Sequence, residues 1–413
     1  MKKVRSTVGF VIVVLAALAL TNGSSPAQQG DYFLYIGTYT GFKYVHHSRP
    51  FGLGESHSEG IYVSRYHAAT GEVGKPELAA KMINPSFLTI SPNHKYLYAV
   101  SEDPLSLGPP LDHASYVSAF RIDSSTGRLQ LLNTVPASGT STCFITIDHT
   151  GKFVLVSNFG SGSTAVIRVR DDGSLGELTG FIQDVGRSVD PAIQIEPHTH
   201  SVVLSPDNHR AIVSDLGTDK VLVFRFDSAT GQLSPPDPPF AKVYPGGGPR
   251  HFAFDPSGRF GYQLGEMSGA IDVYSWDATQ GKLTLIQRAQ TVPHDFFGGN
   301  HSAEIEVHPN GKFLYESNRR TRGENVRGPD TIGVFAIDSR DGTLTPVEQT
   351  DSGGIMPRNF SIDPSGNFLL VANQLTNNIV VFQIDVASGK LSKTGQEIKA
   401  DTPVCLKFVP VGG

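Results

Sequence analysis

The chain has few of the residues that would cross-link it or draw it to a polyanion. It contains only two cysteines in 413 residues, Cys143 and Cys405, and both stand in short apolar stretches. We therefore expect two buried free thiols that pack as small hydrophobic residues, and no disulfide between them. The formal net charge is −5, and no run of basic residues is present. An acidic chain of this kind is not expected to bind nucleic acid or an anionic membrane surface.

Long hydrophobic runs are equally scarce, and the one that is present lies at the N-terminus. Three basic residues among the first five precede an apolar run at residues 8–20, and residues 25–27 are Ser-Pro-Ala. A basic start, a short apolar run and a small-residue cleavage site are typical of a secretory signal peptide. We predict that residues 1–27 are removed and that the protein is secreted or periplasmic, without stable membrane insertion. The alternative is an uncleaved anchor, although the run is shorter than a usual membrane span.

Amphipathic helical patterns and low-complexity linkers are also missing after residue 30. Instead, one short phrase recurs seven times: a turn-forming or acidic residue, a tight turn, Gly, a variable residue and an aliphatic residue. The copies are HAATGEV, DSSTGRL, DDGSLGEL, DSATGQL, DATQGKL, DSRDGTL and DVASGKL. Each copy separates two short apolar stretches, where Gly supplies a positive φ and Asp or Ser bonds the turn backbone. This pattern predicts a β-hairpin at every copy.

A second phrase alternates with the first and defines the period of the repeat. Its copies are SPNHKYLYAVS, DHTGKFVLVSN, SPDNHRAIVSD, DPSGRFGYQLG, HPNGKFLYESN and DPSGNFLLVAN. They begin at residues 91, 148, 205, 255, 308 and 363, so one period spans about 50–57 residues and holds four strands. Four antiparallel strands per repeat are typical of a propeller blade. We predict an all-β fold, a seven-bladed β-propeller over residues 31–413.

The two chain ends predict how the ring closes. The stretch DYFLYIGTYT at residues 31–40 resembles a second strand with no first strand before it. The stretch PVCLKFV at residues 403–409 resembles a first strand with nothing after it. Placed side by side they complete a seventh blade, and this closure removes the exposed edges of an open ring. Because such a ring needs no partner to cover its edges, we expect a monomer.

One face of the ring carries most of the reactive side chains. The first strand of a blade is innermost and the second runs antiparallel to it, so first-strand starts and second-strand ends share one face. We call this the upper face. It collects His198, His200, Arg250, Glu266, His301, Asn318, Arg319 and Arg358. The long insertions at residues 40–60, 103–115 and 320–330 rise from the same face, as binding loops commonly do.

Several segments of this face resemble a known family. The segments HTHSVVLSPD, GGGPRHFAFDP, GEMSGAIDVY, LYESNR and MPRNFSIDPSG are similar to the seven-bladed lactonase family. That family includes the propeller-type 6-phosphogluconolactonases and the fungal carboxy-muconate cyclases. The resemblance covers residues 31–409, and its PRH and SNR segments are fairly specific. It implies a seven-bladed fold with a lactone-opening or lactone-forming site on the upper face.

The resemblance also implies positions for the site. The catalytic positions of the family fall on His200, Arg250, Glu266 and Arg319, with His198 as a neighbouring candidate for the histidine. We expect the substrate to be bound by His198, Arg358, His301 and Asn318. Two departures from the family pattern bear on substrate size: GEM stands in place of the usual Asn-Glu-Leu, and residues 325–330 lengthen the loop after SNR.

Lactone opening needs an attacking water, a base that takes its proton and donors that stabilise the oxyanion. Arg250 and Arg319 suit the last task, because a guanidinium binds oxyanions through a planar fork and keeps its charge. Neighbouring cations lower the pKa of a carboxyl group, so Glu266 would be a weak base. We therefore expect His200 to shuttle the proton and Glu266 to orient it or the arginines. The arginines indicate an anionic small-molecule substrate, such as a sugar-acid lactone that is phosphorylated or not.

Other interpretations of the same residues stay open. Glu266 and Arg250 can also form a salt bridge that only joins adjacent blades. His251 follows Arg250 on a strand and should face the opposite side, which favours a packing role. His198 and His200 are two apart and should face the same way, but nothing fixes a third ligand, so we expect no metal. We expect no cofactor either, and no serine or cysteine nucleophile has an adjacent base.

Three functions compete on this evidence. The leading one is a lactone hydrolase resembling 6-phosphogluconolactonase. The second is an intramolecular cyclase of the muconate type, in which the same arginines would hold carboxylates. The third is a non-catalytic secreted propeller that binds a carbohydrate or protein partner through the upper face. The fold alone cannot separate them, because propellers serve many unrelated functions.

Overall fold

The computed structural model describes residues 30–42, 55–102, 115–235, 240–292, 299–320 and 328–412. Every regular element in these ranges is a β-strand, and none of them contains a helix that could span a membrane. The predicted leader lies outside the described residues, and so do most of the three long insertions. The division into a leader at residues 1–27 and a propeller at residues 31–413 therefore stays a prediction.

The strands are numbered in chain order. The first half of the chain contains β1 (Asp31–Thr38), β2 (Gly41–Phe42), β3 (Glu55–Ser56), β4 (Gly60–His67), β5 (Glu72–Val73), β6 (Glu77–Lys81), β7 (Leu88–Ile90), β8 (Tyr96–Ser101), β9 (Tyr116–Ile122), β10 (Leu129–Pro136), β11 (Thr142–Ile147), β12 (Phe153–Asn158), β13 (Ser163–Val169), β14 (Leu175–Gln183), β15 (Thr199–Leu204) and β16 (Arg210–Asp215). The second half contains β17 (Lys220–Phe226), β18 (Leu233–Ser234), β19 (Phe240–Lys242), β20 (Pro249–Phe254), β21 (Phe260–Gly265), β22 (Ala270–Asp277), β23 (Lys282–Gln290), β24 (Asn300–Val307), β25 (Phe313–Arg320), β26 (Thr331–Ile337), β27 (Leu344–Asp351), β28 (Pro357–Ile362), β29 (Phe368–Asn373), β30 (Asn378–Ile384), β31 (Leu391–Lys399) and β32 (Pro403–Pro410).

These strands form seven antiparallel sheets, which are the blades, and one separate hairpin of β2 and β3. Blades 1 to 6 follow the chain as β7–β10, β11–β14, β15–β19, β20–β23, β24–β27 and β28–β31. Blade 7 combines β32 with β1, β4, β5 and β6. The innermost strands contact one another in the order β7, β11, β15, β20, β24, β28, β32 and back to β7. The predicted seven-bladed propeller is confirmed.

Blade 7 closes the ring through a pairing of the two chain ends. β1 pairs antiparallel with β32, from Tyr32 opposite Pro410 to Thr38 opposite Pro403. The N-terminal segment thus supplies the second strand and the C-terminal segment the first, as the sequence predicts. Cys405 of β32 and Cys143 of β11 are both buried free thiols, as expected.

The repeated hairpin phrase joins each blade to the one before it. All seven phrase glycines have a positive φ: Gly71, Gly127, Gly173, Gly231, Gly281, Gly342 and Gly389. A Cβ on any of them would collide with a side chain near the start of the second strand of the preceding blade. At Gly342, for example, φ is 77° and the Cβ would lie 2.4 Å from Cγ of Phe260. The hydroxyl of Tyr262 also donates to the Gly342 carbonyl at 3.1 Å. Glycine is therefore required both for the turn and for the contact between blades.

The hydrophobic core lies between the faces of neighbouring sheets. One buried cluster joins Tyr32 and Leu34 of blade 7 to Leu370 of blade 6, and another joins Ile212 of blade 3 to Phe252 of blade 4. Stacked sheets bury their apolar side chains against each other and leave the strand ends at the two faces of the ring. The loops and strand ends of the upper face are therefore free to carry polar side chains toward the axis.

Candidate active site

The innermost strands of most blades share an irregularity near their first residue. In five blades the second residue of the first strand is skipped in the pairing with the second strand, which forms a β-bulge. The skipped residues are Cys143, His200, Arg250, Arg358 and Val404. A bulge re-aims its side chain and interrupts the alternation of the strand. Three of these five positions carry side chains that the sequence predicted for the site.

Glu266 is the centre of the resulting cluster. It follows the last residue of β21 and is completely buried. Its Oε2 lies 2.9 Å from Nε of Arg250, and its Oε1 lies 3.0 Å from Nη2 of Arg319. Its backbone is held on both sides, since its N–H donates to Gly248 and its carbonyl accepts from Ser302. One carboxylate thus bridges two buried guanidinium groups that come from blades 4 and 5.

Two histidines flank the same carboxylate. Nε2 of His200 lies 3.9 Å from Oε2 of Glu266, and Nδ1 of His301 lies 3.4 Å from Oε1. Burial, together with the nearby Arg250 and His251, holds the pKa of His200 well below its usual value. The His200 imidazole is therefore neutral at pH 7. On its other side, Nδ1 of His200 is 3.7 Å from the sulfur of Cys143.

The two bridging arginines keep a terminal nitrogen for another partner. Arg250 uses Nε toward Glu266 and Nη1 toward the Ala303 carbonyl and His251, and Nη2 has no partner among the residues described. Arg319 donates from Nε to the backbone carbonyl of His301, and from Nη2 to Oε1 of Glu266 and the backbone carbonyl of Ser302. Burial lowers the pKa of Arg250, and it lowers the pKa of Arg319 to about 9, so both remain cations at neutral pH.

A third guanidinium, that of Arg358, lies near the same cluster and is held less tightly. Arg358 approaches Oε1 of Glu102 with Nη2 at 4.0 Å, and its Cζ stands 5.4 Å from the centroid of the Tyr39 ring. The Tyr39 hydroxyl donates to Oε2 of Glu102 at 2.7 Å. The side chain of Arg358 is 12% exposed, compared with 2% for each of the other two arginines. Of the three guanidinium groups, it is the most accessible to a ligand.

The structure brings six of the eight predicted site residues into one cluster. They are His200, Arg250, Glu266, His301, Arg319 and Arg358. His198 lies behind Phe159, with its ring nitrogens 2.8 Å from the Phe159 carbonyl and 3.1 Å from the Ile193 carbonyl. Asn318 is completely buried and bonds to Glu316, Asn300 and Ser302. Substrate binding by His198 and Asn318 stays a prediction that no contact with Glu266 or an arginine supports.

One part of the expectation for His251 was wrong, namely that its side chain points away from Arg250; its ring is buried against Phe87 and Phe144, as a packing role requires. Strict alternation placed its side chain away from that of Arg250, in a packing role. The bulge skips Arg250, so both side chains turn to the same region, and Nη1 of Arg250 contacts Nε2 of His251 at 3.1 Å. The same effect separates His198 from His200, because β15 begins at Thr199 and the bulge falls on His200. The one regularity in the sequence is that a Thr or Pro precedes the skipped residue in each of these five blades, which does not by itself identify a bulge.

Metal coordination receives no support from the described part of the chain. No group of three or more His, Cys, Asp or Glu side chains there has a geometry that could hold a metal ion. Of the two histidines that the sequence offered as a pair, His198 stacks on the Phe159 ring at 4.6 Å and His200 meets the same ring edge-on at 5.4 Å between centroids. That the protein uses no metal stays a prediction.

Comparison with known proteins decides the family. A family model described as Lactonase, 7-bladed beta-propeller, matches residues 33–408. The chain belongs to this lactonase family. The resemblance seen in the sequence is confirmed, and so is the predicted class of enzyme, a lactone hydrolase that acts on a carboxylic ester in a ring.

Individual relatives agree with this assignment along most of their length. A 6-phosphogluconolactonase of Formosa agariphila is 38% identical over 340 residues, which cover 82% of this chain and 92% of the relative. A 6-phosphogluconolactonase of Bacillus subtilis is 31% identical over 378 residues, covering 92% and 98%. The structure of a periplasmic gluconolactonase of Pseudomonas aeruginosa superposes with a TM-score of 0.81 at 34% identity, covering 92% of this chain and 99% of that one.

Proposed function

We propose that this lactonase hydrolyses a sugar-acid lactone at the upper opening of the ring. The observation that carries the proposal is the bridge of Glu266 between Arg250 and Arg319, with two histidines within 4 Å of the same carboxylate. Such a group of cations, a carboxylate and a neutral imidazole contains the donors and the base that lactone opening needs. Its residues come from blades 3, 4 and 5, so the ring itself assembles them.

The arginines bind the carbonyl oxygen of the lactone. Nη2 of Arg250 and Nη1 of Arg319 have no hydrogen-bond partner among the described residues, and they are the donors that we assign to the oxyanion. Glu266 balances the charge of both guanidinium groups and fixes their planes. In a site with little water, preorganised donors of this kind stabilise the charge that develops in the transition state. The same role makes Glu266 a poor base, because its oxygens already face two cations.

His200 is the base in this proposal. It is neutral at pH 7, and its Nε2 lies 3.9 Å from Oε2 of Glu266. We place the attacking water beside this nitrogen. The water oxygen bonds to the lactone carbonyl carbon while His200 takes the proton, which gives a tetrahedral oxyanion held by the arginines. The oxyanion then collapses, the ring C–O bond breaks, and His200 returns the proton to the released oxygen. The product is an open hydroxy acid, and one water is consumed.

The remaining polar groups would hold the rest of the substrate. His301 is 21% exposed and Arg358 is 12% exposed, and they stand nearest to solvent in the cluster. We assign both to hydroxyl or anionic groups of the sugar. We further propose a secreted or periplasmic location and an unphosphorylated sugar lactone as the preferred substrate. Two observations support this: the N-terminal sequence has the pattern of a signal peptide, and one structural relative is a periplasmic gluconolactonase.

A pH-stat assay tests the function directly. Base uptake above the spontaneous rate is measured for gluconolactone and for its 6-phosphate, with wild type, Arg250→Lys and Arg340→Lys. Arg340 carries a similar guanidinium–carboxylate pair, but its side chain is 83% exposed and it lies in the turn between β26 and β27. We expect kcat to fall about 100- to 1000-fold for Arg250→Lys, since one oxyanion donor is lost. We expect no change for Arg340→Lys.

Each outcome of this assay decides a separate part of the proposal. No acceleration by the wild type with either lactone rejects the function. A higher kcat/KM for the 6-phosphate rejects the preference for an unphosphorylated substrate but keeps the reaction. An active wild type with an equally active Arg250→Lys variant rejects the site. Loss of muconate absorbance in a parallel assay would instead support the cyclase, for which no contact in the structure argues specifically.

A further inference from the structure

A continuous chain of polar contacts leads away from the site through neighbouring blades. It starts at Nη1 of Arg250, which lies 3.1 Å from Nε2 of His251. Nδ1 of His251 lies 2.9 Å from Oε1 of Glu304, and the side-chain amide of Asn359 donates to Oε2 of the same carboxylate. Oδ1 of Asn359 in turn accepts from the backbone N–H of Leu406 at 2.9 Å. The chain therefore runs from blade 4 to β32, the strand that closes the ring.

His251 lies in an apolar environment that determines its protonation. Its ring makes edge-on contacts with Phe144 at 5.1 Å, Phe87 at 5.8 Å and His200 at 5.3 Å between centroids. Burial lowers its pKa to about 4, although Glu304 acts in the opposite direction. The charged groups around it are Glu304, Arg250 and Arg358. At neutral pH it is a neutral imidazole with one donor and one acceptor nitrogen.

The partners of the two nitrogens fix which of them carries the proton. Glu304 presents a carboxylate oxygen, which only accepts, so Nδ1 of His251 must be the donor. Nη1 of Arg250 only donates, so Nε2 of His251 must be the acceptor. Asn359 occupies the second oxygen of Glu304 and keeps the carboxylate in this orientation. Each hydrogen bond of the chain thus has one possible direction, and the acceptor nitrogen of His251 faces the guanidinium of Arg250.

We propose that His251, oriented by Glu304 and Asn359, is the positioning residue that fixes the guanidinium plane of Arg250 for the reaction. The inference rests on the proposed function, in which Nη2 of Arg250 binds the oxyanion. Arg250 contacts Glu266 through Nε, and the Ala303 carbonyl and His251 through Nη1. Because a guanidinium is planar, these contacts also fix the direction in which the N–H groups of Nη2 point. Without the His251 contact, only the Glu266 contact at Nε and the Ala303 carbonyl at Nη1 remain to hold the guanidinium, and its plane is less restrained.

Two substitutions of His251 test this role. In His251→Gln, the amide can donate to Glu304 and accept from Arg250, so both contacts survive. In His251→Leu, both contacts are lost while the volume is similar. We expect His251→Leu to lower kcat on gluconolactone about 10- to 100-fold, the cost of misplacing a transition-state donor, with KM changed less than about 3-fold. His251→Gln should keep kcat within about 5-fold of wild type.

His308→Leu is the matched control. His308 is also a buried histidine, and its Nε2 lies 2.7 Å from the Gly366 carbonyl. It follows the last residue of the innermost strand β24, whereas His251 lies near the first residue of the innermost strand β20. Its removal should lower the unfolding midpoint without changing kcat more than about 2-fold. If His251→Leu does not fold, Asn359→Ser breaks the chain two contacts from Arg250. We expect this variant to lower kcat about 3- to 10-fold.

The results that would overturn the inference are distinct from those that reject the function. A wild type that opens no lactone rejects the proposed function, whatever the variants do. An active wild type with an equally active, folded His251→Leu variant overturns the positioning role. The same conclusion follows if His251→Gln loses as much kcat as His251→Leu. A crystal structure of His251→Leu supplies a readout without turnover, and an unchanged Arg250 guanidinium in it would also contradict the inference.

Discussion

The charge of Glu266 should be the largest single electrostatic contribution to the stability of the ring. Glu266→Gln keeps the shape of the side chain but leaves Arg250 and Arg319 facing an amide, at positions where both guanidinium groups are only 2% exposed. Breaking a buried ion pair by removing one partner costs about 3–5 kcal/mol, because the remaining charge stays buried. Two cations lose their partner here, so we expect the upper part of this range. A loss of about 5 kcal/mol lowers the ratio of folded to unfolded protein roughly 4,000-fold.

The assay is urea-induced unfolding of wild type, Glu266→Gln and the control Glu177→Gln at pH 7. Glu177 also pairs with an arginine, Arg168, at 2.6 Å, but the two side chains are 61% and 36% exposed. An exposed pair contributes about 0–1 kcal/mol, so the control should unfold close to wild type. Adding Arg319→Met to Glu266→Gln removes one uncompensated charge and should recover part of the loss. Equal midpoints for Glu266→Gln and Glu177→Gln would refute the reasoning.

Three further predictions concern a turn, a buried acid and the base. Gly342→Ala should destabilise more than Gly395→Ala, because both have a positive φ but only Gly342 packs on an aromatic ring; calorimetric midpoints compare them. Glu316 is fully buried, and burial raises its pKa well above 4.5. The wild-type fold should therefore lose stability as pH rises above 4.5, because only the unfolded chain then releases this proton. Glu316→Gln should remove this pH dependence; urea midpoints at several pH values test this. Lactone hydrolysis should stay fast as pH falls through 6.5, because His200 remains neutral there; a kcat/KM profile that halves near pH 6.5 contradicts this.

The architecture could be predicted from sequence because each blade repeats its own constraints. The phrase glycines recur since each one must adopt a positive φ and also pack against the preceding blade, as Gly342 does on Phe260. The chain ends DYFLYIGTYT and PVCLKFV predict the closing blade for a similar reason. Each has the pattern of a strand that has no partner in its own neighbourhood, and they pair as β1 and β32.

The candidate site could be predicted only to the level of which strand ends meet. Rules of alternation placed His198 beside His200 and turned His251 away from Arg250, and both inferences failed at the same type of feature. One residue is skipped at the start of β15 and of β20. Because side chains alternate along a strand, this skip puts the residues on its two sides out of phase with each other. Bulges of this kind leave no unambiguous mark in one sequence.

Contacts between blades could not be predicted from the sequence for a different reason. Glu304 and Asn359 are more than fifty residues apart and lie on innermost strands of different blades, where no short-range pattern relates them. The ring brings them together because β24 and β28 are neighbours around the axis. Their importance becomes visible only when the partner of each carboxylate oxygen is known.

The most direct test of the central claim is a crystal structure of the protein with the ring-opened product, gluconate. The account predicts that the product carboxylate binds at the upper opening, within hydrogen-bonding distance of Arg250 and Arg319 and beside His200. It also predicts that the hydroxyl groups extend toward His301 and Arg358. Gluconate bound with its carboxylate elsewhere, on the opposite face or along an outer blade edge, would contradict it.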